Sequence, residues 1–396
     1  MSVGRIIGNI IAIIVCGVLL FIEMWSVVPG PTIPTLVLAV GVPEVAPLGI
    51  VFSLIVLALA QVLARGWARV LSTSFAALAL GCAIAPLYFL PTTIAASERA
   101  MTQALGPDYA FAGSDRARAL LRPKPFDLAT SFGGFPTVAP GPTRMNLPVR
   151  LRDGSALALD LYAPRTTGAH PTVILVYGGA WIFGKRADVA ARARAFAAIG
   201  YTAAVIDYRH APRYRFPTQI DDVQDAIATL AHNARAWDID PTRVAIVGYS
   251  AGAELALLAA YEPGPVTIKS VVAYYAPEDL VLGYRDPPVP DPSDVQRILR
   301  TYIGTPPEGN FPAYRDGSPI THVRPGLPPT LLIGGARDEL VRLSLQHLMR
   351  DALHMHGVRV ASLDFPWSNH AFDEVANGTA GQLSRYYTER FFAATL

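Results

Sequence analysis

Only five charged side chains, Arg5, Glu23, Glu44, Arg65 and Arg69, precede Pro91. A segment so poor in charge is not the surface of a water-soluble domain. Its apolar residues fall into three stretches, Ile6 to Val28, Pro47 to Ala64 and Val70 to Leu90, each close to the ~20 residues that a helix needs to cross a bilayer. Residues 1–91 are therefore expected to form a region of three transmembrane helices. A cleaved signal peptide is the alternative for the first stretch, but its apolar core is long, no small-residue cleavage site follows, and two more spans come after it. The Pro-interrupted run Ile33 to Val42 is too short to cross alone and is expected at the interface or as an extension of the second span. Glu23, costly within lipid, is read as an interfacial residue beside Trp25. Arginines lie before the first span and between the second and third, whereas Glu44 alone lies between the first and second. The positive-inside rule then puts the chain after Leu90 on the outer, periplasmic or extracellular, side of a cell membrane.

The remainder has an ordinary globular charge load, and a net charge of +2 argues against a nucleic-acid partner. Both cysteines, Cys16 and Cys82, fall inside predicted spans, so the rest of the chain has no thiol to oxidise, as an exterior location permits. The 33 Lys+Arg residues include only Lys124, Lys185 and Lys269 as lysines, a bias expected of a bacterium with a GC-rich genome.

Residues 92–143 are rich in Pro, Gly and Ser without a sustained period and read as a tether with one short helix, Asp115 to Leu121. From 144 to the C-terminus the pattern changes. A hairpin is expected over Met145 to Leu151 and Ala156 to Tyr162. Buried-strand runs then alternate with helical stretches. The expected strands are Thr172 to Val176, Thr202 to Ile206, Arg243 to Val247, Ser270 to Tyr275, Thr330 to Gly334 and Arg359 to Phe365. The expected helices are Ala187 to Ile199, Thr218 to Ala234, Ala251 to Tyr261, Leu343 to His356 and one from about Glu374. This alternation predicts an α/β fold, a mostly parallel, doubly wound sheet with helices on both faces. The Pro-rich and Asp-rich stretch 277–325 interrupts it and is the natural place for a cap.

The strand Val244 to Val247 runs into Gly248-Tyr249-Ser250-Ala251-Gly252 and then into an Ala/Leu helix. This is the signature of a nucleophile elbow, in which a strained turn lifts the serine hydroxyl out of the sheet and flanking glycines let neighbouring backbones approach. Such a serine needs a base and an acid to orient the base, in the chain order Ser, Asp/Glu, His. Asp338, in a loop after a buried strand, is the acid candidate, with Glu339 as its neighbouring rival. His370, between the last strand and the last helix, is the base candidate. His170 and His210 precede the serine, and His347, His354 and His356 lie in or at the end of one helix, where a solvated face explains them better than a metal site. A tetrahedral oxyanion needs backbone amides; Ala251 supplies one, and the small residues of Val176-Tyr177-Gly178-Gly179-Ala180-Trp181 are the source of the other.

From about residue 145 onward the chain resembles the hormone-sensitive-lipase branch of the α/β-hydrolase carboxylesterases. The matching residues are Tyr177 to Trp181 against that family's His-Gly-Gly-Gly-Trp, Asp207-Tyr208-Arg209, Ala211-Pro212, Phe216-Pro217, the Gly248 to Gly252 elbow, Ser318-Pro319-Ile320, Asp338 with Val341, and His370-Ala371-Phe372. The resemblance implies hydrolysis of carboxylic esters through an acyl-enzyme on Ser250, with catalytic residues Ser250, Asp338 and His370, and neither cofactor nor metal. Tyr177 and Ala180 depart from the family pattern; the oxyanion amides are expected from Gly179 and Ala180 with Ala251, and Gly178 as the alternative. Tyr177 is expected to act mainly by packing, and Glu254 to complement the elbow helix's positive end. The Tyr-Gly-Gly-Ala-Trp version also resembles the membrane-bound prenylcysteine methylesterases. The sequence thus reads as a membrane-anchored serine carboxylesterase whose partners are a small-molecule or lipid ester and the lipid bilayer. An acyltransferase or lipid or prenylcysteine methyl ester hydrolase with the same triad, and a catalytically inactive binding module, are the alternatives.

Overall fold

The computed structural model describes residues 3–113, 115–135 and 141–396. Two bodies of structure meet in it: an N-terminal group of long apolar helices and an eight-stranded sheet flanked by helices.

The apolar part holds α1 (Val3–Glu23), the short α2 (Ile33–Gly41), α3 (Ala46–Leu63) and α4 (Trp67–Leu105). By length and composition, three candidate spans lie here, Val3–Ser26, Ile33–Leu63 and Trp67–Leu105. Small residues let them pack: Ala68, Ser72, Ala76, Ala79 and Ala83 form the buried stripe of α4, which meets both α1 and α3. Glu23 is buried, with its carboxylate packed where a side chain on Gly49 of α3 would have to sit, so it faces the neighbouring helices, and Trp25 is buried too.

The third helix also outruns its expected end. Pro91 looks like a stop, because proline removes an amide and clashes with the preceding turn. Yet α4 continues to Leu105 through Pro86 and Pro91, so residues 92–105 are not a loose tether. Tertiary packing accounts for this: Leu90, Met101 and Ala104 are buried in the same core as the sheet, and α4 lies against the last strand and the C-terminal helix. The Tyr387 hydroxyl of that C-terminal helix donates to the Ile94 carbonyl at 3.3 Å and to Glu98 Oε1 at 3.2 Å. Beyond it, two short helices, α5 (Asp115–Leu120) and α6 (Leu128–Gly133), lead to the sheet.

The strands are β1 (Thr143–Arg150), β2 (Ala156–Tyr162), β3 (His170–Val176), β4 (Thr202–Val205), β5 (Ile239–Tyr249), β6 (Ile268–Tyr274), β7 (Thr330–Gly335) and β8 (Val360–Phe365). Their order is β1-β2-β4-β3-β5-β6-β7-β8, antiparallel at β1/β2 and β2/β4 and parallel elsewhere. The intervening helices are α7 (Ala190–Ala198), α8 (Thr218–His232) and α9 (Ala251–Tyr261). α7 shares a face with the C-terminal helix, where the Phe196 and Phe392 rings meet, and α8 packs beside α9 on the other face. The central strands are consequently apolar and fully buried in their C-terminal halves, as in Val173 to Val176 and Ala245 to Val247. Three short helices, α10 (Leu280–Arg285), α11 (Val295–Ile303) and α12 (Phe311–Asp316), occupy the stretch between β6 and β7 where a cap was expected. α13 (Leu343–Met355) and α14 (Thr379–Thr395) complete the fold; the last helix begins five residues later than the sequence pattern suggests, after a 3-10 turn at Phe372–Glu374.

Because α4 enters the core of the sheet, a cavity there should destabilise the sheet domain. Met101→Ala is expected to cost about 2–5 kcal/mol, whereas Met355→Ala, at an exposed position, should leave the melting temperature of the detergent-solubilised protein unchanged. Equal melting temperatures would mean that residues 92–105 do not belong to the fold's core.

Candidate active site

Register brings the site together. Val176 at the end of β3 pairs with Gly248 near the end of β5, so the Tyr177 to Trp181 loop and the serine turn leave the sheet side by side. Gly335 of β7 pairs with Phe365 of β8, so the loops bearing Asp338 and His370 are also neighbours. All four segments emerge at the carboxyl ends of parallel strands, the usual position of a site in an open α/β sheet.

Ser250 has φ +53° and ψ −123°, a conformation that costs a non-glycine residue about 1–3 kcal/mol and persists only where its surroundings enforce it. Close backbone crossings do so. A Cβ on Gly248 would lie 2.5 Å from the Ala253 Cα, and one on Gly178 would lie 2.7 Å from the Tyr249 carbonyl oxygen. The Ser250 amide donates to the Tyr274 carbonyl at 3.0 Å. Held in this way, Ser250 Oγ lies 2.8 Å from His370 Nε2. His370 Nδ1 lies 2.8 Å from Asp338 Oδ2, and Asp338 Oδ1 accepts from the amides of Leu340 at 2.8 Å and Val341 at 2.7 Å. Both oxygens of this buried carboxylate are engaged, which fixes its plane and that of the imidazole. Glu339 points elsewhere: its Oε1 accepts from the Gly30 amide at 2.9 Å. Tyr275 packs on the imidazole with ring centroids 4.5 Å apart and donates its hydroxyl to Asp373, which also accepts from Arg192. The helical histidines do not converge, since His347 pairs with Asp364 and His356 turns back to the Ala352 carbonyl.

The loop after β3 takes left-handed conformations at Gly179 (φ +132°), Ala180 (φ +52°) and Trp181 (φ +60°). Gly178, Gly179 and Ala180 line the same cleft as Ser250 and His370. Ala251 opens α9, where an amide has no partner within its own helix.

Two residues, Tyr177 of this loop and Glu254 of α9, do more than their sequence reading gives them. Tyr177 is buried and stacked on Tyr208, as packing requires, but its hydroxyl also donates to Asp207 and lies 3.1 Å from His210 Nε2. Glu254 is fully buried rather than merely complementing a helix end, and accepts from Trp181 Nε1 at 3.0 Å and from the Tyr302 hydroxyl at 3.2 Å. Burial pushes its carboxyl well above the usual carboxylate range. Trp181 and Tyr302 stack at 4.0 Å, so one carboxyl on the elbow helix holds the loop after β3 and the α11 helix of the cap together. The signal for this role was a carboxylate inside an otherwise wholly apolar helix, Ala251 to Tyr261.

Ser250 opens into two spaces. One is a narrow apolar pocket of about 50 Å³ beneath the cap, lined by residues such as Leu280, Val295, Leu299 and Leu345. The other is an open cleft of about 790 Å³ that also contains His370, Phe183, Arg192 and Ile33.

Comparison with known proteins accords with this geometry. Residues 159–353 match the family described as BD-FAE. Over this segment the chain is similar to the hormone-sensitive-lipase-like α/β-hydrolases. Over 290 residues it is 29% identical to a probable carboxylic ester hydrolase, LipM, of Mycobacterium tuberculosis, covering 66% of this chain and 66% of that protein. It is 27% identical over 229 residues to the isoprenylcysteine alpha-carbonyl methylesterase of Arabidopsis thaliana, covering 54% of this chain and 53% of the relative. The chain thus spans between about half and two thirds of these relatives. Among solved structures, the thermophilic carboxylesterase EstE1 from a metagenomic library superposes with a TM-score of 0.58 at 21% identity, covering 76% of this chain and 99% of that one. This α/β-hydrolase lacks a counterpart there for part of its own length.

A neutral group that keeps the carbonyl should serve at Glu254. Glu254→Gln is expected to retain the fold, whereas Glu254→Leu leaves the Trp181 and Tyr302 donors unpaired and should cost about 1–3 kcal/mol for each. Thermal unfolding compares the two; equal stability of both variants would refute the bridging role.

Proposed function

We propose that this protein is a membrane-anchored serine carboxylesterase acting through an acyl-enzyme on Ser250. The observation that carries this reading is the unbroken relay from Ser250 Oγ through His370 to Asp338, with 2.8 Å at each step. Kinship with proteins described as esterases supports it.

In the proposed reaction, His370 Nε2 takes the proton from Ser250 as Oγ attacks the ester carbonyl carbon. The carbonyl electron pair moves onto oxygen, and the amides of Ala251, Gly179 and Ala180 receive that oxyanion; a single such donor is worth about 3–4 kcal/mol elsewhere. Collapse expels the alcohol, which leaves with the proton held on His370. Water then attacks the acyl-enzyme, giving its proton to the same imidazole; collapse breaks the bond from the acyl carbon to Ser250 Oγ, which regains the proton from His370 as the acid leaves. Asp338 keeps Nδ1–H directed at itself, so that Nε2 is free to accept.

Membrane anchoring rests on the three apolar helices, and the arginine bias supports an outward-facing hydrolase. Arg65 turns back onto the carbonyls of Val62 and Ala64 at the end of α3, a suitable cap for the cytoplasmic turn. One observation favours a second reading, that the ester is a lipid: Ile33, on the short apolar helix α2, lines the cleft that holds His370. The isoprenylcysteine methylesterase relationship points the same way. An acyltransferase using the same acyl-enzyme is separable by testing whether an added alcohol outcompetes water.

Ser250→Ala and His370→Ala should each abolish ester hydrolysis with the fold intact, and Asp338→Asn should lower kcat by about four orders of magnitude. In the same assay, Gly179→Val should lower kcat strongly and Ala180→Gly should not, because only the former blocks the close approach of the acyl oxygen. An active Ser250→Ala enzyme would end the proposal. For topology, a reporter that works only in the cytoplasm, fused after Leu396, should be silent; a strong signal would reverse the orientation.

A further inference from the structure

The segment between α1 and α3, which includes α2, touches both loops that carry the proposed acid and base. Glu44, the one charged residue in that segment after Glu23, is completely buried. Its Oε1 accepts from the Ser368 hydroxyl at 2.7 Å, and its Oε2 accepts from the Ala380 amide at 2.6 Å. Ser368 is two residues from His370, and Ala380 lies in the first turn of α14, where the positive end of a helix favours an anion. The approach is close: a Cβ on Gly378 would lie 2.8 Å from the Glu44 Cβ.

Towards its start, the same segment holds the acid loop. The Gly30 amide donates to Glu339 at 2.9 Å, and the Arg337 guanidinium donates to the carbonyls of Trp25 and Ser26. Arg337 and Glu339 flank Asp338 on either side. Between the two loops, Asn369 Oδ1 accepts from the amides of Glu339 at 3.1 Å and His370 at 2.7 Å. Residues 25–44 therefore grip the acid loop at one point and the base loop at another, and the Asn369 side chain spans the gap.

From this arrangement we infer that Glu44 is a positioning residue of the active site: by holding Ser368 it sets the place of His370 between Ser250 and Asp338. Without that carboxylate, the loop from Phe365 to His370 loses its outermost anchor while the sheet and the elbow keep theirs. The membrane-side segment is then part of the catalytic apparatus and not only its attachment. This inference rests on the reading of Ser250, His370 and Asp338 as the acyl-transfer machinery.

The test uses the full chain in detergent micelles with p-nitrophenyl acetate as substrate and a fluorophosphonate to count reactive serines. For Glu44→Ala, kcat per labelled serine should fall roughly ten- to a hundredfold, with KM within about twofold, the size of effect that an ångström-scale displacement of a catalytic group produces. Glu44→Gln, whose carbonyl can accept from the Ala380 amide while its NH2 donates to the Ser368 hydroxyl oxygen, keeps both links and should recover most of the loss. Ser368→Ala should reproduce the loss, and the double variant should be no worse than either single one. A folded Glu44→Ala protein with wild-type kcat per labelled serine would overturn the inference, as would a loss that appears only as fewer labelled serines. Should Glu44→Ala not fold, Ser368→Ala decides alone: wild-type kcat there overturns it, and a lowered kcat at unchanged KM supports it. Ser250→Ala in parallel separates the two levels, since hydrolysis by that variant would defeat the nucleophile assignment itself.

Discussion

Everything at the site depends on the crossing of backbones beneath Ser250. The serine is held at φ +53° because β5, α9 and the loop after β3 approach more closely than side chains would allow, with Gly178 and Gly248 at the crossings. Local strain is thereby balanced by long-range packing of a buried parallel sheet. The same crossing aligns the end of β3 with the end of β5, so the Tyr177 to Trp181 loop is placed by the geometry that lifts Ser250 out of the sheet. A chain that could relax the turn would lose both at once.

The elements that were legible in sequence are those whose signals are local. The elbow helix Ala251 to Tyr261 has the bounds that its Ala/Leu pattern suggests, and the strands of the sheet lie within a few residues of their apolar runs. Asp338 and His370 were readable as candidates because each follows a buried strand in a loop, and chain order does the rest. The choice between Asp338 and Glu339 needed coordinates, since only the direction of each side chain separates them.

What the sequence hid was decided by tertiary contact. Pro91 is a sound local stop, overridden because Met101 and Ala104 have a core to enter. Glu254 and Glu44 looked like a helix-end charge and a loop charge, yet both are buried acceptors whose donors lie 48 or more residues away in the chain. A clue was present in each case: a lone carboxylate in an apolar run must find donors or bear a heavy desolvation cost. Naming those donors requires the fold.

The continuity of α4 has a mechanical consequence. Thirty-nine helical residues form a rod of roughly 58 Å, about twice the thickness of a bilayer's hydrocarbon core. With one end among the apolar helices and the other inside the hydrolase core, this rod removes the free swivel that a flexible stalk would give. Embedded as proposed, the catalytic cleft would keep a constant height and tilt over the lipid surface. Such an enzyme samples the layer of molecules at one depth and leaves the bulk solution to diffuse in to it.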